Sequence, residues 1–525
     1  MLRFHNMKKI ILIYILIFVL LFPVAKSINY VSNDEWVYYG LVNNFARGDF
    51  TLNRYIGATF YLMGFTAALF SKGFGIQSIP IFTLLVSVLS LFVFNLILIN
   101  IFSKKLLDSV IFTIILFFNP VFVYSIWGFM TENYFMLFFL VSLYFYLSSF
   151  KLFQSGGSKK AFIYLILGNL FSILGYFVRQ TSLITILSTA IFFLFYAIIQ
   201  KEKLKSILFK SSIYQFIIFG LVMAYHFFLF PRTPEMLETR LNFSNIFYFR
   251  YMFSLFFIVG IYVCFSCLPL VIIYIKKSLA KPNKFLLITF PIVLVASLFY
   301  FKPTIQWRSN FYYMQNVLQR KGFFVENLHG NKFSFHYYNE LYVLLDIVSK
   351  VLLVLLVLIL VHKKKLDFFL IYSIIYVAAL SLSPSIFDRY LLPVFTVVIL
   401  FFAKEIKEDL ILKHKFLILT FVLALFYYSY NFSTDYILTN KYVWNKALEL
   451  HNVYKVPKGS ITTTVAWNYI NEDTKTKPVY KFTYDSPKTQ QYKNNSQYTL
   501  LDTHKVVYPL SFWINPYVYL YKVNY

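Results

Sequence analysis

The sequence predicts an α-helical polytopic membrane protein of about 13 transmembrane helices, closed by a small C-terminal extracytoplasmic α/β domain. Three observations predict it. Of 525 residues, 59% are hydrophobic, 22% aromatic and only 14% charged, more apolar surface than one soluble core hides. Apolar runs long enough, or nearly so, to cross a hydrocarbon core of about 30 Å recur along the chain, and helices satisfy their backbone hydrogen bonds there. Lysine clusters fall at every second connection between those runs, as the positive-inside rule requires of cytoplasmic loops.

Taken in order, residues 8–26 form the first span, with the amino terminus inside. Arg3, Lys8 and Lys9 before an apolar run ending Ala25-Lys26-Ser27 also fit a signal peptide, but an uncleaved helix is the preferred reading. Residues 32–49, SNDEWVYYGLVNNFARGD, follow. Trp36, Val37, Leu41, Val42 and Phe45 recur at helical spacing, which predicts a surface helix with its aromatic face in the lipid interface and Asp34 and Glu35 at its start. The apolar stretch 55–70 is read as a half-inserted or surface helix, because a span there would reverse the side of every later lysine cluster. Spans then follow at 79–102, 107–125, 132–150, 161–178, 183–199, 207–230, 253–275, 285–301, 342–361, 367–383, 390–403 and 416–431. Outer loops at 27–78, 231–252 and 302–341 are long enough to be lids or binding elements. Cys264 and Cys267 lie within an apolar helix and read as packing residues, and His226 as a hydrogen-bonded one. Residues 1–431 make the transmembrane domain and 432–525 the soluble extracytoplasmic one, where 440–450 reads as a helix and 460–467 as a strand after Pro457-Lys458-Gly459.

The net charge of +27 does not point to nucleic acid, since no continuous basic face with stacking aromatics emerges. The cations divide by type. Apart from Arg3, every arginine falls in an expected outer loop or at an outer helix end (47, 54, 179, 232, 240, 250, 308, 320 and 389), whereas the cytoplasmic connections use lysine. A guanidinium pairs bidentately with phosphate oxygens, so the outer face suits anionic ligands; pairing with outer glutamates is the plainer alternative for some of them.

The first helix followed by Asp34-Glu35, the Asn119-Pro120 before Thr131-Glu132-Asn133-Tyr134, and Asp388-Arg389-Tyr390-Leu391-Leu392-Pro393 near the end together resemble the glycosyltransferase C superfamily. The nearest relatives would be protein O-mannosyltransferases and the aminoarabinose transferases of lipid A. The resemblance covers the membrane part in order. It implies a polyprenyl-phosphate sugar donor, transfer outside the cytoplasm, Asp34 as catalytic base and Glu35 as its companion acid. Where many relatives carry a His-Pro-Pro or Pro-Pro step, this chain has Asn53-Arg54-Tyr55, so contacts assigned to that step do not carry over.

The residues suit that chemistry. A sugar on a lipid phosphate has a good leaving group, so catalysis needs a base for the acceptor hydroxyl and cations for the developing phosphate charge. Asp34 is expected to be the base, and Arg54, Arg179 and Arg389, with Glu132 and Tyr390, to form the substrate-binding set. Neighbouring helix positions face apart, so Glu35 is expected to fix an arginine or a divalent metal; the alternative is that both acids, and Glu132 in its turn, cap helices. The expected location is the cell membrane, and the expected partners are the lipid-linked donor, a lipid, glycan or protein acceptor and membrane lipid. A transporter, a lipid-linked sugar flippase and a polysaccharide polymerase or ligase remain as rival classes.

Overall fold

Prolines and caps decide where the apolar runs become helices. In this computed structural model, residues 2–31, 34–199, 202–238, 249–279, 284–300, 339–363, 367–383, 386–472, 477–484, 495–511 and 517–525 are described. Helix α1 (Leu2–Ser27) is followed by the short α2 (Glu35–Ala46) and α3 (Tyr61–Phe74), then by α4 (Ile79–Leu96), which continues as a π turn over Ile97–Ile101. Next, α5 (Leu106–Phe117) and α6 (Pro120–Ile126) meet at 74°. Pro120 has no N–H to continue the ladder, and Asn119 starts the new helix by accepting from the Val121 N–H at 3.0 Å. Helices α7 (Thr131–Gln154) and α8 (Ser158–Tyr176) pack together, as do α9 (Leu183–Ile199) and α10 (Glu202–Phe228).

Beyond the short α11 (Pro234–Glu238), α12 (Phe249–Ser266) and α13 (Leu268–Ser278) bend by 96° at Cys267, just ahead of Pro269. Cys264 and Cys267 are free and buried, as packing residues should be. Helices α14 (Lys284–Tyr300), α15 (Asn339–His362), α16 (Phe368–Ser381), α17 (Leu392–Glu405) and α18 (Glu408–Lys413) lead to α19 (Lys415–Asn452), 38 residues long.

Among the described residues, six helices are long and apolar enough to cross a membrane, or eight if each bent pair is one span. The expected 13 exceed this for a physical reason. Helices α16 and α17 have 14 residues each and α14 has 17, and at 1.5 Å per residue such helices fall short of about 30 Å. In α8, Lys159, Lys160 and Asn169 dilute an otherwise apolar helix. The expected loop 302–341 lies almost wholly outside the described residues, as do Pro384 and residues 239–248 of the second loop.

The tail is α/β. Helix α19 runs through residue 431 without a break and includes the expected 440–450 helix. The expected strand at 460–467 is corrected. Only β1 (Ile461–Thr462) is extended, and α20 (Val465–Ile470) begins at once, because the Thr464 side chain accepts from the Trp467 N–H and caps it. Strands β2 (Tyr480–Tyr484), β3 (Tyr498–Lys505) and β4 (Tyr517–Val523) complete a four-stranded sheet in the order β1-β2-β4-β3, parallel at β1–β2 and antiparallel elsewhere.

Among the described residues, one set of lysines and one set of arginines gather at opposite ends of the bundle, with Lys72 of α3 at the arginine end. Lys104 Nζ and Lys277 Nζ donate to the Ile406 and Glu405 carbonyls, each at 2.7 Å, which satisfies and neutralises the C-terminus of α17. Lys105 pairs with Glu408, Lys404 with Asp367, and Lys363 donates to Ser278 Oγ. The lysine-bearing turns are therefore tied to one another. At the other end, the Phe60 N–H donates to the Val178 carbonyl, Gln180 Nε2 to the Gly57 carbonyl, and Thr233 Oγ1 to the Ile56 carbonyl. Helix α7 joins the two ends, with Glu132 at its start and Lys151 in its last turn.

This framework settles the first loop. Helix α3 begins beside the turn after α8 and ends at the start of α4, so both its ends lie at the arginine end and it does not run the length of the bundle. The expected orientation of α2 is corrected. Val37, Leu41, Val42 and Phe45 are buried inside the protein rather than in lipid, because Gly64 lets α3 close on them: a Cβ there would lie 2.8 Å from the Phe45 ring. Helix α3 carries exposed apolar side chains, Phe65 and Leu69 one turn apart and Phe74 at its end.

Candidate functional site

Four chain segments far apart in sequence deliver one ion network at the arginine end. Asp34 occupies the N-cap position of α2 but makes no side-chain cap bond, and its Oδ2 instead accepts from Arg389 Nη2 at 3.1 Å. Arg389 sits in a 3-10 turn over Asp388–Leu391, just before α17, whose second residue is Pro393. Its Nε lies 3.3 Å from Glu132 Oε1 at the start of α7. The same oxygen accepts from Arg179 Nη1 at 2.8 Å, and Arg179 comes from the turn between α8 and α9.

Burial ranks the members. The side chains of Arg389 and Glu132 are 4% and 3% exposed, that of Arg179 11%, and that of Asp34 50%. Asp34 is thus the carboxylate that faces the surroundings, and Glu132 the one that holds both guanidiniums together. Buried ion groups are costly unless paired, and these are not fully satisfied. Glu132 Oε2 and Arg389 Nε and Nη1 have no hydrogen-bond partner among the described residues. The network therefore has spare donors and one spare acceptor at a place walled by protein.

Tyr390 stacks under Arg179, whose guanidinium carbon is 4.0 Å from the ring centroid, and its carbonyl accepts from Tyr376 Oη at 3.0 Å. Tyr38 was not expected. It follows Asp34 by four residues, one helical turn, and that spacing is the signal that could have found it. Its burial, then the carboxylates of Asp34 and Glu132, hold the phenol well above its usual range against the pull of Arg389.

Glu35 serves a different element. It is buried, and its Oε1 accepts from the Phe129 N–H at 2.7 Å, which ties α2 to the turn between α6 and α7. The expected role of Glu35, fixing an arginine or a metal, does not include this backbone bond. Gly128 makes room for it, since a Cβ there would stand 2.8 Å from the same oxygen. No group of three or more His, Cys, Asp or Glu side chains placed to hold a metal occurs among the described residues.

Arg54 does not join the network. It is exposed, hydrogen-bonds Tyr55 Oη and lies 4.5 Å over the Tyr55 ring. Tyr55 in turn packs on Trp36, and Trp36 stacks on Tyr469 of the tail at 5.2 Å and 6°. The C-terminal domain thereby closes over the α2 start, beside Asp34. His226 is hydrogen-bonded to Tyr176 Oη at 3.0 Å, the packing role expected of it.

Fold and site together define a multi-helix, membrane-type protein with a buried arginine and carboxylate network at one end. No family model, no curated protein and no solved structure matches this chain.

Proposed function

We propose that this chain is an integral membrane glycosyltransferase of the glycosyltransferase C type, moving a sugar from a polyprenyl-phosphate donor to a lipid, glycan or protein acceptor at the extracytoplasmic face of the cell membrane. One observation carries the reading. Asp34, Glu132, Arg179 and Arg389 meet at the arginine end, with Asp34 the half-exposed member. In this reading the lysine end faces the cytoplasm and the tail lies outside.

Asp34 takes the proton of the acceptor hydroxyl as its oxygen bonds to the anomeric carbon, and the bond from that carbon to the phosphate oxygen breaks. Charge grows on the departing phosphate. Arg389 and the neutral Tyr38 phenol meet it, and Arg179 supports them through Glu132. Before the donor arrives Arg389 is engaged by Asp34. A phosphate competing for the guanidinium frees that carboxylate to act as base.

A transporter or flippase is the second reading, favoured by the two bent pairs, since discontinuous helices mark substrate sites in such proteins. Against it, the ion network sits at helix starts rather than within helices. Purified protein incubated with a panel of polyprenyl-phosphate sugars separates them. Donor consumption supports the transferase, whereas intact donor that changes leaflet in proteoliposomes supports the transporter.

A further inference from the structure

A cavity of about 240 Å³ opens between α2 and α3, away from the ion network. It is lined by Phe45, Phe50, Phe65, Ala68 and Leu69, with Arg47 and Lys72 as its cations. Both cations are exposed, and neither has an ion pair among the described residues. The nearby Asp49 turns its Oδ1 to the Thr51 N–H at 3.0 Å.

The position of α3 says what surrounds this cavity. The helix has 14 residues, about 21 Å, too short to span, and both its ends lie at one end of the bundle. The side that lines the cavity carries Phe65 and Leu69, one helical turn apart and exposed by 46% and 55%, and Phe74 at the helix end is exposed by 71%. A helix lying flat with an exposed apolar face belongs in the headgroup region, where its apolar side meets acyl chains. Cations over an apolar cleft at that depth complement one chemistry, a phosphate ester carrying a hydrocarbon chain.

We infer that the α2–α3 cleft binds an anionic phospholipid, with Arg47 and Lys72 on its phosphate and the Phe50, Phe65 and Leu69 side chains against the start of its chains. A cavity of this size takes a headgroup and the start of the chains but not a whole lipid. The rest of the chains then continues out of the cleft past the exposed Phe65 and Leu69 side chains. Helix α2 separates this site from Asp34 by 12 residues, about 18 Å, so one phosphate cannot serve both.

The test is retention of phosphatidylglycerol, read by native mass spectrometry and by thermal shift on the detergent-purified full chain. Phosphatidylcholine and a polyprenyl phosphate serve as the other arms. Wild type is expected to retain phosphatidylglycerol over phosphatidylcholine, and the Arg47→Gln, Lys72→Gln double variant to lose that affinity by roughly tenfold or more, both changes being at exposed positions. Ala68→Phe, which fills the cavity while keeping both cations, is expected to lose it as well. Equal retention of both phospholipids, or undiminished phosphatidylglycerol binding by the double variant, overturns the inference. So does polyprenyl phosphate as the one lipid retained through Arg47 and Lys72. The proposed transferase site fails separately, through donor turnover at Asp34.

Discussion

Asp34 and Glu132 are both carboxylates of one network, yet their substitutions should read differently. Asp34→Asn keeps the size of a half-exposed side chain and removes its basicity. Turnover should fall by about a hundredfold or more, the scale of a general base, with donor binding and thermal stability retained. Near-normal turnover would move the base elsewhere. Glu132→Gln removes the charge that holds Arg179 and Arg389 together in a buried place, and should cost about 3–5 kcal/mol, measurable as a lowered Tm before any kinetic assay. An unchanged Tm would mean the guanidiniums are paired some other way. Asp34, Glu132, Arg179 and Arg389 were legible because acids and arginines at apolar boundaries are expensive and stand out, and Tyr390 through the Asp388-to-Pro393 motif. That Glu35 would hold a backbone N–H, or that Arg54 would turn to Tyr55, was not legible, because both depend on which turn packs beside α2.

At the scale of elements, the junction of α2 with the turn before α7 is where geometry is tightest. Gly128→Ala would place a methyl against Glu35 Oε1, which is pinned by the Phe129 N–H. The expected loss is about 1–3 kcal/mol, the cost of a broken buried hydrogen bond. Glu35→Gln should show a similar deficit, and the two together less than their sum, because both disturb one contact. Strict additivity would separate the two residues. The helical period of residues 34–45 was legible, but not the partner of its apolar face. Periodicity gives a face, and only the close approach allowed by Gly64 makes α3 rather than lipid its cover. The bend at Asn119-Pro120 was equally present in the sequence, yet an apolar run reads as one span until proline chemistry is given weight over length.

Across the whole molecule, the lysine-bearing turns tied together at one end and the arginine network at the other give the bundle a polarity that the spacing of the cations made visible. Cysteine placed at Lys363 should resist an impermeant thiol reagent in intact cells, and cysteine at Asn471 in the tail should react, with the buried Cys264 and Cys267 giving little background. A labelled Lys363→Cys and a protected Asn471→Cys would reverse the orientation. The most direct test of the proposed function compares consumption of a polyprenyl-phosphate sugar by purified wild type, Asp34→Asn and Arg389→Lys at saturating donor. The expected result is turnover by wild type, loss in Asp34→Asn with donor still bound, and a loss in Arg389→Lys that exceeds any change in folding, since lysine keeps the charge but not the fork. Absence of turnover or binding of any lipid-linked sugar by well-folded wild type would contradict it.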